Sequence, residues 1–318
     1  MKDKLPVFAA LAALFVLIFA SRQVIESAAY GLRLCWELIL PSLFPFFVIS
    51  TLLGKLGFPQ LLGKLLAPWA KRVFHVSGEG ATALLIGLTG GYPLGAAYVA
   101  DLEKAGRVSP AEAGRLLGFC NNSGPAFLVG AVGSSIFHSA GVGLLLYLSH
   151  ILAALSAGLL LRGSSPPSPA VPLKTVCLSF SRALPEAVRQ AVLAALNVCG
   201  FVVCFTVFTG LLDANGFLSI LSGRLSAFTG LELHQSRALL TGFWELGGGI
   251  GAMRGLPAVP GNLALAAGLV GWGGVSVQFQ TLSVLTDSQC KTSLHLAGRF
   301  LSAGLGAGYA FVLGSIFL

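Results

Sequence analysis

Nine apolar runs dominate the chain, near residues 5–20, 35–54, 81–100, 114–136, 140–161, 190–212, 237–256, 262–286 and 294–318. A bilayer crossing by a helix takes about 20 apolar residues, with a range of about 17–25. Inside lipid every backbone N–H and C=O must be satisfied by the chain itself, which leaves helices or closed barrels. Runs of this length give an all-α polytopic membrane protein. Charge leads to the same conclusion: 10% of the 318 residues are charged and 55% are hydrophobic, whereas soluble domains carry about 25% charged residues. Too few charges are present to cover a soluble surface, and the length leaves no room for a large soluble domain beside the spans. The 41 glycines suit close helix contacts and broken helices.

The net charge of +8 is spread over short loops, where Lys and Arg mark the cytoplasmic side. It does not form a nucleic-acid-binding surface. The six cysteines and five histidines show no metal-ligand spacing. No GxxxxGK[ST], HExxH or GxSxG motif occurs, so the sequence offers no pump ATPase, metalloprotease or serine-hydrolase signature. No enzyme, metal or cofactor is expected. The N-terminal stretch MKDKLPVFAALAALFVLIFASRQ reads as an uncleaved first span with its basic end in the cytoplasm.

The stretch GSSPPSPAVPL at 163–173 cannot continue a helix and divides the chain almost in half. The halves resemble each other. GLTGGYPLGA (87–96) parallels GFWELGGGIGA (242–252), and GFCNNSGPAFLV (118–129) parallels GWGGVSVQFQTL (271–282). The offset is 155 residues at Gly87/Gly242 and 153 at Gly118/Gly271. A near-constant offset between weakly similar segments is the mark of an internal repeat. The expected organisation is an N-terminal transmembrane helix (1–30), a first repeat (31–162), a linker (163–182) and a second repeat (183–318).

Basic residues follow the first repeat's opening span at Lys55, Lys64, Lys71 and Arg72 but are scarce at 213–236. This asymmetry predicts two repeats of inverted topology. Residues 81–100 and 237–256 are then re-entrant hairpins, with Gly at the bend and Pro or an acid beside it. Pro41 and Pro45 are expected to kink or break the 35–54 span. Residues 59–70 read as an amphipathic helix on the cytoplasmic surface. Gly304 and Gly308 have GxxxG spacing, which favours close packing of the last span.

Paired interrupted segments at matching places in two halves point to a transporter's binding site. Asn121, Asn122 and Ser123 fall at one interruption. Ser276, Gln278 and Gln280 follow the matching one, with Trp272 nearby. These groups can serve a ligand or bond between helices. Glu245 is an acid within an apolar segment, flanked by Trp244 and three glycines. An intramembrane carboxyl is a functional hypothesis by default: it can hold a coupling proton or cation, contact substrate, or pair with Arg254 or Arg237. Arg299, near the start of the last span, is expected to snorkel toward the interface.

The motifs PSLFPFF (41–47), LTGGYPLGA (88–96), GRLLGFCNNSGPAFLVGAVG (114–133) and GWGGVSVQFQ (271–280) resemble those of the YlbJ-type sporulation integral membrane proteins. These belong to the nucleoside-recognition, or Gate, superfamily, related to concentrative nucleoside transporters. The resemblance runs over roughly residues 30 to 315. It implies two Gate-like repeats and export of dipicolinic acid from the mother cell across the outer forespore membrane. The implied site is Gly91, Tyr92, Asn121, Asn122, Ser123, Glu245, Ser276 and Gln278, with Tyr92 or Trp272 as an aromatic wall. Expected partners are a small-molecule substrate, membrane lipid and a coupling proton or sodium ion, and a homo-oligomer is compatible with this reading. A nucleoside or other small-metabolite transporter and a non-transporting scaffold of the spore envelope are the competing readings.

Overall fold

In a computed structural model, residues 4–163 and 178–318 are described. Every regular element among the described residues is helical. Apart from Gly163, the Pro-rich stretch at 163–173 lies outside them. Five helical stretches are long and apolar enough to cross a membrane: Ser21–Lys55, Ala140–Leu160, Phe180–Ala214, Pro260–Val284 and Ser293–Phe317.

Helix α1 (Leu5–Phe19) turns at Ala20 into α2 (Ser21–Leu34), which continues through a π-helical turn (Cys35–Ile39) into α3 (Leu40–Lys55). Of the kink or break expected at Pro41 and Pro45, the break does not occur, since the helix runs through both. Proline lacks an N–H and its ring crowds the carbonyl four residues back. The π turn falls just ahead of Pro41, with the Leu40 N–H bonded to Cys35 O, and the extra residue in that turn absorbs the misfit.

The 35-residue helix α9 (Phe180–Ala214) packs along this composite helix. Cys35, Ile39 and Phe47 share one buried cluster with Ala191, Ala195, Val198 and Val202. Between these long helices and the rest come α4 (Phe58–Val73) and α10 (Phe217–Thr229). Leu61, Leu65 and Trp69 are exposed along α4 while Ala70 is fully buried, so that helix is two-faced, as its sequence pattern predicts.

Two helical hairpins follow. The first joins α5 (Gly78–Gly90) to α6 (Leu94–Lys104), and the second joins α11 (Leu233–Trp244) to α12 (Leu246–Gly251). No arm exceeds 13 residues, short of the length a crossing needs. Each hairpin is closed by glycine against glycine. A Cβ on Gly95 would lie 2.9 Å from Gly87 Cα, and one on Gly249 would lie 2.2 Å from Gly242 Cα.

Two interrupted helices complete the core. Helix α7 (Pro110–Cys120) stops before a π-helical segment (Ala126–Ile136), and α13 (Pro260–Trp272) stops at Gly273 before α14 (Gly274–Val284). The last members, α8 (Ala140–Leu160) and α15 (Ser293–Phe317), pack together, with Ser156 Oγ and Tyr309 OH 2.8 Å apart. The same order of units thus occurs twice: long helix, shorter helix, hairpin, interrupted helix, last helix.

On α15 the close-packed stripe is not the one the GxxxG spacing indicates. Gly298, Gly306 and Gly314 face other helices, whereas nothing lies within 4 Å of a Cβ on Gly304 or Gly308.

Candidate functional site

In each half the tip of the hairpin meets the break of the interrupted helix. Gly91, at the first tip, has φ +83, and a Cβ there would sit 3.0 Å from Gly124 N. Gly274, at the second break, has φ +78, and a Cβ there would lie 2.9 Å from Leu246 N at the second tip. Both positions combine a left-handed backbone with close backbone approach, which glycine alone meets without strain. Local sequence thereby brings four interruptions to one place.

A cavity of about 50 Å³ opens there. Its wall includes Gly91 and Tyr92 from the first tip and Ser123 and Gly124 from the first break. From the second half come Glu245, Leu246 and Gly247 at the tip and Val277 and Gln280 on α14. Ile39, Leu43, Val198 and Val202 of the two long helices close the side.

Glu245 is 2% exposed and caps α12. Its carboxylate accepts from Gly247 N at 2.9 Å and from Gly248 N. Neither arginine named from sequence pairs with it: Arg237 bonds Asp213 at 2.6 Å, and Arg254 is exposed. Backbone amides thus take the place of a cation at this acid. Ser276 interacts with the same carboxylate, although its buried Oγ makes no hydrogen bond of good geometry.

Ser123 reaches the wall, whereas Asn121, Asn122, Gln278 and Trp272, also singled out from sequence, lie around the cavity. Asn121 Nδ2 donates to Thr281 Oγ1 at 2.8 Å, tying the first break to α14. Asn122 Nδ2 donates to Phe119 O at 2.7 Å, closing the end of α7. Each amide oxygen is buried without a partner. The Ser123 N–H donates to His150 Nε2 at 3.0 Å. Gln278 bridges Trp272 O at 2.7 Å and His295 Nε2 at 2.7 Å. Trp272 belongs to an aromatic row, with its ring stacked on Phe243 at 5.4 Å and against Phe300 at 4.9 Å. Phe243 and Phe300 are both exposed, so this row faces outward.

Two features escaped the sequence reading. Arg299 does not snorkel: it is 0% exposed. Its Nη1 donates to Tyr92 OH at 2.8 Å, and Tyr92 OH donates to Val270 O at 3.0 Å. The signal was its register, since Arg299 shares a face of α15 with buried His295, Ser302 and Gly306. The second feature is a polar vestibule of about 440 Å³ between α2, α9 and the second hairpin. Glu26, Tyr30, Thr209, Asp213 and Arg237 line it, and it reaches Gly248. Polar residues inside apolar α9, such as Thr206 and Thr209, were its only trace in sequence. Among the described residues no three His, Cys, Asp or Glu side chains are grouped to hold a metal ion.

The chain is a helical membrane protein whose interrupted segments surround a central cavity, and solved structures share this fold. CNTnw variants in an intermediate 3 state and in an outward-facing state match with TM-scores of 0.53 and 0.50. Those matches cover 99% and 95% of this chain and 85% and 86% of theirs, at 13% and 14% identity. No family model matches the chain. It is 31% identical to the sporulation integral membrane protein YlbJ of Bacillus subtilis (strain 168), over 91% of this chain and 77% of that one. The chain belongs to this family of integral membrane proteins.

Proposed function

We propose that the chain carries a small organic anion across a membrane during spore formation. The proposed substrate is dipicolinate, moved from the mother cell across the outer forespore membrane. The observation that carries this reading is the convergence on one cavity of both hairpin tips, the first helix break and the helix that follows the second. Interrupted backbone at membrane depth is tolerated where it is buried or lines a cavity, and a scaffold has no need of it. Membership in a sporulation family supports the setting.

At about 50 Å³ the cavity holds little more than a water or two. An aromatic dicarboxylate enters only after the tips part. The vestibule is large enough for such a solute and ends one residue away, since Gly247 lines the cavity and Gly248 lines the vestibule. The first turn of α12 is then the moving partition, and Glu245, which holds that turn, is the site for a coupling proton or sodium ion.

The test is uptake into proteoliposomes holding the full chain, with dipicolinate or uridine outside and with or without an imposed proton or sodium gradient. The expected result is dipicolinate uptake above protein-free vesicles, slowed at least tenfold by Glu245→Gln. Uptake of uridine alone would move the substrate to the nucleosides. Uptake of neither by folded protein would favour the scaffold.

A further inference from the structure

We propose that Arg299 makes the central cavity select an anion over a neutral solute of the same shape. The inference rests on the transport reading of that cavity and names the residue that sets its charge preference.

Arg299 is a buried cation with few partners. A guanidinium has five N–H donors. Here one short bond forms, to Tyr92 OH at 2.8 Å, and one contact sits at the limit, to Gly118 O at 3.5 Å. Its Nε has no partner. Among the described residues no carboxylate pairs with it, for the six ion pairs all involve other residues. A charge buried in a membrane protein without a counter-ion is costly. Gly118 lies in the last turn of α7 and Val270 in the last turn of α13, so two helix C-termini supply partial negative charge. That offsets the guanidinium incompletely.

The position gives the leftover charge a use. Tyr92 is shared: its hydroxyl holds Arg299, and its side lines the cavity. The guanidinium carbon lies 5.7 Å from the Tyr92 ring centroid. The acid on the cavity wall, Glu245, is already engaged by two backbone amides. The cavity is therefore bounded by a carboxylate held by two amides on one side and an under-compensated cation behind the other. A unit charge about one ring's width from a bound anion, at an effective dielectric of about 20, changes its affinity on the order of tenfold or more. A neutral solute feels far less. Arg299 acts through Tyr92 and is a positioning and selecting residue rather than a direct contact.

The experiment is calorimetric binding to the purified full chain of dipicolinate and of its neutral isostere, pyridine-2,6-dicarboxamide, with uridine as a third probe. Wild type, Arg299→Gln, Arg299→Lys and Tyr92→Phe are compared. The expected result is an anion-to-neutral affinity ratio that falls at least tenfold in Arg299→Gln and is largely restored in Arg299→Lys. Tyr92→Phe keeps the charge and retains most of the ratio. A purely structural role would weaken all probes together and leave the ratio unchanged, which overturns the inference while the transport reading stands. If Arg299→Gln does not fold, the Lys and Phe variants decide: a ratio lost in Arg299→Lys despite its charge overturns the inference. Wild-type binding of a neutral probe but not dipicolinate also overturns it. Folded wild type that binds none of the three overturns the reading of the cavity, and the inference with it.

Discussion

The two halves build the same junction from different chemistry. The first break is spelled Asn121-Asn122-Ser123-Gly124, and its side chains tie the loose ends: Asn122 closes α7 and Asn121 crosses to Thr281. The second break is two glycines in left-handed backbone, Gly273 and Gly274, with its amides displaced onto α14. The hairpin tips differ the other way. The first is uncharged Gly91-Tyr92-Pro93, and the second holds a carboxylate on two amides. Both buried charges at the cavity, Glu245 and Arg299, come from the second half. The first half supplies Tyr92, whose hydroxyl holds Arg299. A backbone plan that occurs twice can thus be fixed by steric close approach while the charges placed upon it differ.

The glycine closures test whether the steric plan is shared. A Cβ on Gly87 would lie 1.6 Å from Cys120 O, and on Gly249 2.2 Å from Gly242 Cα. Backbone cannot step aside as a side chain does, so Gly87→Ala and Gly249→Ala should each cost about 3 kcal/mol or more. Thermal melting in detergent should show both strongly lowered, with Gly200→Ala, which has open space, unaffected. A large loss in one half alone would break the equivalence.

The tips should separate the halves next. Glu245→Ala leaves two buried amides without an acceptor, costing about 2–4 kcal/mol in the same melt. Glu245→Gln keeps one acceptor and should recover about half of that. Asn121→Ala removes one bond across the halves and should cost about 1–2 kcal/mol; Thr281 keeps its own bond to Val277 O. Trp272→Phe loses a single bond to Phe243 O but can keep its stack, and should cost under about 1 kcal/mol. A larger effect would mean that the aromatic row braces the second tip.

Much of the framework was legible because it follows from apolar length and from helix breakers. The interruptions at 121–125 and 245, and the tip at Gly91, could be read from Gly, Pro and polar residues inside apolar text. The unbroken helix through Pro41 could not, because the π turn that accommodates it leaves no composition signal. The cavity was legible as a neighbourhood but not as a wall. Asn121, Asn122 and Gln278 are polar where a ligand site is expected, yet each turns to a helix end or a neighbouring side chain. Side-chain direction at a break depends on which carbonyls lie free nearby, and that is set by tertiary packing. Arg299 was misplaced for a related reason: a long side chain near a helix end can reach water, but the small-residue stripe beside it turns this one inward.

The two adjoining glycines between the vestibule and the cavity have an electrical consequence. An open polar vestibule conducts, so little of a membrane's voltage falls along it. On the proposed transport reading the drop concentrates where water is excluded, across a turn of α12 that has no side chains beyond Glu245 and Leu246 to thicken it. One elementary charge crossing a full membrane potential exchanges about 2.3 kcal/mol per 100 mV, and on that reading much of it is spent across this turn. A dianion moving alone through this layer would be driven or held by the resting potential, while one accompanied by two protons would pass unaffected by it.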